Sequence, residues 1–163
     1  RPHHTHPQRP GDGDAHAMDT SAAPSVDAIT TWIQSAFPDV HTTRGGNAWF
    51  FSCEPKTSWP NMATIVTTDE HDAYDGGPGP VSRLSRPGIF RLNIGLGRAS
   101  FDAVVAQAPV PLEHSVLDTL MPHPVYAAQR WVCILSPSQQ TFETRLKPLL
   151  MEAHALISKH NLR

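Results

Sequence analysis

The chain has 163 residues, of which 39% are hydrophobic and 17% charged, so it holds enough apolar material for one ordinary core. Its formal net charge of -2 removes the general electrostatic attraction that drives non-specific binding to nucleic acids or anionic membranes. No stretch approaches the roughly 20 consecutive apolar residues of a membrane span, and no basic segment leads into an apolar one as in a secretory signal. We therefore expect a cytoplasmic protein with no membrane contact, and the net charge does not favour a nucleic acid as its partner.

The first 24 residues differ in composition from the rest of the chain. They contain four of the ten histidines and four of the sixteen prolines, but hardly any large apolar side chain. Such a segment cannot bury enough surface to offset the entropy that is lost on ordering. We expect a disordered leader over residues 1–24, followed by a single domain over residues 25–163.

The first half of that domain predicts one helix and three strands. Apolar residues recur at helical spacing after Ser25, a favourable N-cap, and the run ends at Pro38. Two short runs joined by a glycine turn predict a β-hairpin over residues 40–53. A run rich in β-branched residues predicts a third strand over residues 62–68.

A long irregular loop and a fourth strand follow. Several glycines and prolines fall within residues 73–87, which is typical of a lid or binding loop. The strand predicted over residues 88–94 has an apolar face and a polar face, and the polar face carries Arg91 and Asn93. A short helix is predicted over residues 98–107.

The last third of the chain predicts an extended segment, a fifth strand and a long helix. Prolines stiffen residues 121–126, and an apolar run over residues 130–135 predicts the strand. Ser136 is the predicted N-cap of the final helix, in which Pro148 should cause a kink. These elements predict an α+β fold: a mostly antiparallel sheet of about five strands, an N-terminal helix, a short middle helix and a long C-terminal helix.

Cys53 and Cys133 each lie inside an apolar run and belong to no Cys-x-x-Cys pair. We expect two buried free thiols, and neither a zinc motif nor a redox motif.

Three stretches occur in a distinctive order: residues 63–72, residues 86–95, and residues 120–126 followed by Trp131 and Val132. Together they resemble a family of small uncharacterised bacterial proteins, a domain of unknown function, over about residues 27–160. A more distant similarity, to the YjbR-like family, rests on Pro124-x-Tyr126, Trp131 and the helix through Leu149 and Ala153. That similarity implies an α+β fold and, by fold analogy, DNA binding, although this chain lacks the family's basic character.

Two polar clusters flank the predicted sheet. Asp69-Glu70-His71-Asp72, with Asp75 nearby, could ligate a divalent cation or act in acid-base chemistry, but its spacing matches no known metal motif. The alternative is a solvated turn in which Asp69 or Asp72 caps backbone amides. In Pro122-His123-Pro124-x-Tyr126 the prolines fix the backbone and hence the imidazole, which either serves a site or binds a nearby carbonyl group.

Arg91 and Asn93 form the third polar feature. The guanidinium offers a planar fork for a carboxylate or phosphate, and Asn93 can orient the same ligand. Alternatively, Arg91 pairs with an acidic neighbour such as Glu70 or Asp72. If the third and fourth strands are adjacent, all these groups can share one pocket.

Three functional hypotheses follow. The first is a binding domain, without a cofactor or metal, for an unidentified polar or acidic small molecule or a protein partner; its site residues are Arg91, Asn93, His71, Asp72, His123 and Tyr126. The second is a metal-assisted hydrolase that uses His71, Asp72 and His123. The third is a DNA-binding module by the YjbR-like analogy, which needs a basic patch from Arg83, Arg86, Arg91 and Arg98.

Overall fold

A six-stranded antiparallel sheet organises the residues that the computed structural model describes, which are 22–57, 59–74 and 76–161. The strands are β1 His41–Gly45, β2 Ala48–Ser52, β3 Asn61–Val66, β4 Arg91–Gly95, β5 Met121–Pro122 and β6 Trp131–Leu135. Their order across the sheet is β1-β2-β3-β4-β6-β5, and each neighbouring pair is antiparallel. The predicted α+β class is confirmed. The sheet gains a sixth strand because the stiff segment before His123 pairs along its edge as β5.

Five helical segments accompany the sheet: α1 Val26–Ala36, α2 Glu70–Tyr74, α3 Arg98–Gln107, α4 Gln139–Thr141 and α5 Lys147–Asn161. Helix α1 begins where the sequence predicts, because the Ser25 hydroxyl accepts a hydrogen bond of 3.1 Å from the amide of Ala28. Helix α3 has the predicted bounds. Helix α2 was not predicted, since the acidic run that forms it reads equally well as a turn.

The C-terminal helical region differs from the prediction at its N-cap and near Pro148. Its N-cap is Ser138, whose hydroxyl accepts from the amide of Thr141, whereas Ser136 has a φ of 36° and lies before the helix. A π-helical turn over Phe142–Leu146 joins α4 to α5 directly before Pro148. A proline ring clashes with the carbonyl group four residues earlier, and the wider π turn makes room there. The helical path therefore continues through Pro148.

The two faces of the sheet have different coverings. One face contributes Ile65, Leu92 and Ile134, all fully buried, to a core shared with Ile33 of α1 and Leu150 of α5. The other face, called here the second face, presents polar side chains at its centre.

The irregular segment over residues 76–90 packs against the second face. Its Leu84 is 2% exposed and packs with Ala48, Val66 and Leu135. The Leu84 amide donates to Oδ1 of Asp69 at 2.9 Å, which anchors the segment just before α2. The segment is therefore a fixed wall of the second face.

Parts of the predicted organisation lie outside the described residues, namely residues 1–21 of the leader and Asp75. In the part of the chain that the structure describes, no helix combines the length and the apolar character that a membrane crossing requires.

Adjacent residues of α5 provide a test of the core. Leu150 is fully buried and Met151 is 57% exposed. We expect Leu150→Ala to lower the free energy of unfolding by roughly 2–5 kcal/mol, because it leaves a cavity. Met151→Ala, the matched control, should change it by less than about 0.5 kcal/mol. Urea denaturation followed by circular dichroism measures both, and equal effects would contradict the described orientation of α5.

Candidate functional site

The centre of the second face holds an arginine that is 1% exposed. Nη1 and Nη2 of Arg91 donate to Oδ2 and Oδ1 of Asp72 at 3.0 and 2.9 Å. Nη1 also donates to the hydroxyl of Ser82, and Nε to Oδ1 of Asn93, both at 2.9 Å. Four of the five guanidinium N–H groups are thus used within the protein. Arg91 pairs with Asp72, as one sequence-based alternative held, and does not present a free fork to an anionic ligand.

The partners of Arg91 come from three segments. Asp72, 1% exposed, projects from α2, so the solvated-turn interpretation of Asp69–Asp72 is wrong for this carboxylate. The expected adjacency of the third and fourth strands is present, with Thr64 opposite Asn93 in the register. Nδ2 of Asn93 donates to the Thr64 hydroxyl at 3.0 Å, which extends the polar network across both strands.

His123 is 4% exposed and its tautomer is fixed by its surroundings. Nδ1 accepts hydrogen bonds of 3.0 Å from the amides of Val125 and Tyr126. An accepting Nδ1 carries no hydrogen, so Nε2 is the protonated nitrogen. Nδ1 of His123 thus binds two amide groups, whereas the sequence-based alternative had the ring binding a carbonyl group. Burial, assisted by the nearby positive charge of Arg91, lowers the pKa of His123 to about 3, which keeps the ring neutral.

A cavity of about 420 Å³ opens on the second face beside these groups. Five of the six predicted site residues line it: Arg91, Asn93, His71, His123 and Tyr126. Asp72 is absent from the lining and lies behind Arg91. Apart from the aliphatic Val66, the rest of the lining is aromatic or polar and comprises Phe50, Trp59, Asn61, Thr64, Gln129 and Trp131.

Two buried polar atoms in this lining have no hydrogen-bond partner, Oδ1 of Asn61 and Nε2 of His71. The nearest carboxylate oxygen to the His71 nitrogen, Oε1 of Glu70, is 3.8 Å away, beyond hydrogen-bond distance. A buried polar atom without a partner costs about 1–3 kcal/mol. Both atoms belong to residues that line the cavity, and each is almost fully inaccessible to solvent.

Sequence reasoning missed several lining residues. Trp131 begins an apolar run that is typical of the core, but it is only half-buried, and its indole packs closely over Gly95 on the cavity side of the sheet. Asn61 begins β3, outside the predicted strand, and Gln129 ends a 3-10 turn that no pattern predicts. Strand alternation could have marked Thr64, which shares a face with Val66, but residues 61 and 64 would lie on opposite faces of a regular strand, and the irregular pairing of β2 with β3 near Asn61 has no signal in the sequence.

The hydrolase hypothesis needs three ligands around one ion. Within the described residues, one group of three His, Cys, Asp or Glu side chains meets that geometric requirement, and it comprises Asp39, Cys53 and His154. The predicted set of His71, Asp72 and His123 does not. Both Asp72 oxygens are bound to Arg91, and Nδ1 of His123 is bound to two amides.

The basic patch of the DNA-binding hypothesis is also not formed as predicted. Arg91 is buried and ion-paired. Arg86, beside a more open groove of about 570 Å³, donates to the backbone carbonyl groups of Ser82, Arg83 and Ser115. Two of the four arginines are therefore engaged in holding loops together.

The fold and the cavity define a small α+β protein with a polar, aromatic-walled recess on an antiparallel sheet. The model of a family of unknown function, DUF6194, matches residues 24–163, so the chain belongs to that family. No curated protein and no solved structure matches the chain significantly.

The buried ion pair yields a first site prediction. Removing one partner leaves the other as a buried charge without a counter-charge. Arg91→Met or Asp72→Leu should therefore each lower the free energy of unfolding by roughly 3–5 kcal/mol. The double variant should lose less unfolding free energy than the two single variants lose together, since neither buried charge remains. Urea titrations of all four proteins give the coupling energy, and additive losses would contradict the pairing.

His123 yields a second prediction, on pH. Between the ordinary pKa of 6.5 and the folded value of about 3, the unfolded chain binds a proton that the folded ring does not. This group's contribution to stability is therefore present above pH 6.5 and lost as the pH falls, at up to about 1.4 kcal/mol per pH unit. His123→Asn keeps a side-chain acceptor for the local amides.

The difference in unfolding free energy between wild type and His123→Asn should thus change steadily from pH 6.5 towards pH 4, with wild type losing more. Denaturant titrations at several pH values measure it. Parallel pH profiles would show that His123 titrates normally.

Proposed function

We propose that the cavity on the second face binds a neutral, planar, polar small molecule, and that the chain acts as a binding protein. The observation that carries this proposal is the meeting of three polar groups in one recess. Asn61 Oδ1 is an unpartnered acceptor, His71 Nε2 is unpartnered, and His123 is held as an Nε2–H donor. A ligand that both donates and accepts hydrogen bonds satisfies such a set.

The charge balance favours a neutral ligand over the acidic one that the sequence also allowed. The positive charge of Arg91 is matched by Asp72 in a two-bond pair, and the guanidinium has one N–H group beyond its four internal bonds. An anion would enter beside a charge that is already neutralised and would lose its own hydration. A neutral molecule avoids that loss.

The walls favour a flat ligand. Phe50, Trp59, Tyr126 and Trp131 surround the polar groups, and Trp59 is 67% exposed at the cavity. Aromatic side chains stack on planar rings and hold them by their faces, while hydrogen bonds at the ring edge fix orientation. A small heterocycle or aromatic amide fits both requirements.

Binding without catalysis follows from the chemistry of His123. A general base works best when its pKa lies near the operating pH. The pKa of His123 is lowered to about 3 by burial, and Nδ1 is occupied by two amides. The ring is therefore a permanent donor and a poor proton acceptor. Neither the metal-assisted hydrolase nor the DNA-binding module is favoured.

Other parts of the sequence interpretation stay as proposals. Cys53 and Cys133 are both free thiols, which supports a reducing compartment such as the cytoplasm. The YjbR-like relation and a bacterial source rest on the sequence motifs alone. A protein partner on the same face is a second possible occupant of the site.

The proposal is tested by thermal-shift screening of three matched compound classes: neutral heterocycles and aromatic amides, aromatic carboxylates, and sugars. We expect the first class to raise the melting temperature. Hits are then titrated by tryptophan fluorescence, which reports directly because Trp59 and Trp131 line the cavity. His123→Asn should weaken binding about two- to tenfold, since one hydrogen bond is worth roughly 0.5–1.5 kcal/mol.

The control variant is His41→Asn, at an exposed residue of β1 outside the lining. It should leave the affinity unchanged. Stabilisation by carboxylates alone, or equal weakening by both variants, would overturn the proposal of a neutral ligand at this cavity.

A further inference from the structure

Three potential metal ligands from distant parts of the sequence meet on the other side of the sheet. Asp39 lies between α1 and β1, Cys53 follows β2, and His154 belongs to α5. Nε2 of His154 is 2.8 and 3.1 Å from Oδ1 and Oδ2 of Asp39. Sγ of Cys53 is 3.3 Å from Oδ2 of Asp39. The nitrogen, sulfur and carboxylate oxygen all lie within 4.8 Å of one another.

The His154 nitrogen has more close neighbours than one ring atom can serve. Besides both Asp39 oxygens, the Ser158 hydroxyl lies 3.0 Å from Nε2. A ring nitrogen offers either one hydrogen or one lone pair, so three oxygen atoms compete for it. A cation in their midst would bind the nitrogen and an oxygen at the same time.

The ring and the carboxylate are also held in place. The His154 imidazole stacks on Phe37, with ring centroids 4.3 Å apart and planes 22° apart. The Ser158 hydroxyl lies 3.5 Å from Oδ2 of Asp39 and 3.9 Å from Sγ of Cys53, on the next turn of α5. The three ligand atoms are thus positioned before any ion arrives.

We propose that Asp39, Cys53 and His154 bind a zinc ion. Zinc accepts thiolate, imidazole and carboxylate ligands in one tetrahedral shell, with bonds of about 2.0–2.3 Å that place ligand atoms about 3.3–3.5 Å apart. Oδ2 of Asp39 lies 3.1 Å from the His154 nitrogen and 3.3 Å from the Cys53 sulfur, so these two separations need to change by only a few tenths of an ångström, and the nitrogen and sulfur lie within 4.8 Å of each other. The fourth position belongs to a solvent molecule, since the Asp39 side chain is 53% exposed and the His154 side chain 22%.

Binding has a defined proton balance. Burial and the adjacent Asp39 carboxylate raise the pKa of the Cys53 thiol to about 11, so without a metal the sulfur is protonated at neutral pH. Coordination forms the zinc–sulfur bond and releases that proton to the buffer, and Nε2 of His154 binds zinc through its lone pair with the ring hydrogen on Nδ1.

Cobalt(II), which takes the same tetrahedral ligands and has visible spectra, is the probe for the full-length chain under reducing conditions. We expect the thiolate-to-cobalt charge-transfer band on addition of one equivalent, and its loss when zinc is added. The band needs a sulfur ligand, so His3, His4 and His6 near the N-terminus cannot produce it. Cys133 is fully buried and is shielded from the metal.

The variants separate the proposed site from adventitious binding. Cys53→Ser should abolish the band, and His154→Asn and Asp39→Asn should each weaken cobalt binding by at least about tenfold. His41→Asn, the matched control, should leave it intact. Circular dichroism verifies folding of each variant.

A second measurement needs no variant. Zinc should protect Cys53 of the wild-type chain from alkylation by iodoacetamide and raise its melting temperature. Absence of the charge-transfer band, or a band that His154→Asn and Asp39→Asn do not alter, would overturn the proposal. The cavity on the second face is untouched by these changes, so this test is independent of the proposed ligand binding.

Discussion

The buried pair of Arg91 and Asp72 is the interaction on which the geometry of the cavity depends. Two charges removed from water are retained only when they bind each other and their remaining hydrogen-bond capacity is met. Here Ser82 and Asn93 supply the additional bonds, so strand β4, helix α2 and the loop over residues 76–90 are joined at one guanidinium. Arg91 therefore lies at the floor of the recess, and Asn93 and His123 line the recess beside it.

The sequence predicted the parts of this arrangement that local patterns determine. Alternation placed Arg91 and Asn93 on one face of a strand, and flanking prolines marked His123 as fixed in space. The assignment of Asp72 to a solvated turn failed because His71 and Asp72 are consecutive in a helix, where neighbours point about 100° apart. His71 lines the cavity, whereas the Asp72 carboxylate binds Arg91. A short polar run in the sequence does not show which of two neighbouring residues takes which position.

Groups of residues that come from distant parts of the chain could not be predicted from local sequence patterns. Asp39 and His154 are 115 residues apart, and Cys53 is one of two cysteines without a nearby partner. Only the packing of α5 against the sheet brings them together, through contacts such as the stacking of His154 on Phe37. Likewise, Asn61 and Gln129 acquire significance from the cavity that they share, because neither belongs to a motif.

The fixed protonation of His123 explains how a small polar cavity can discriminate by charge. Two amides direct their hydrogens at Nδ1, while Arg91 and burial disfavour a second proton, so the ring presents one donor over the physiological pH range. A titrating histidine would give the cavity a charge that varies with pH and would admit anions as pH falls. With the guanidinium balanced and this imidazole held neutral, a charged ligand finds no opposite charge to replace its hydration, whereas a neutral one gains hydrogen bonds and aromatic contact. In the proposed function, selection against ions thus arises from the internal pairing of the charges that the chain itself buries.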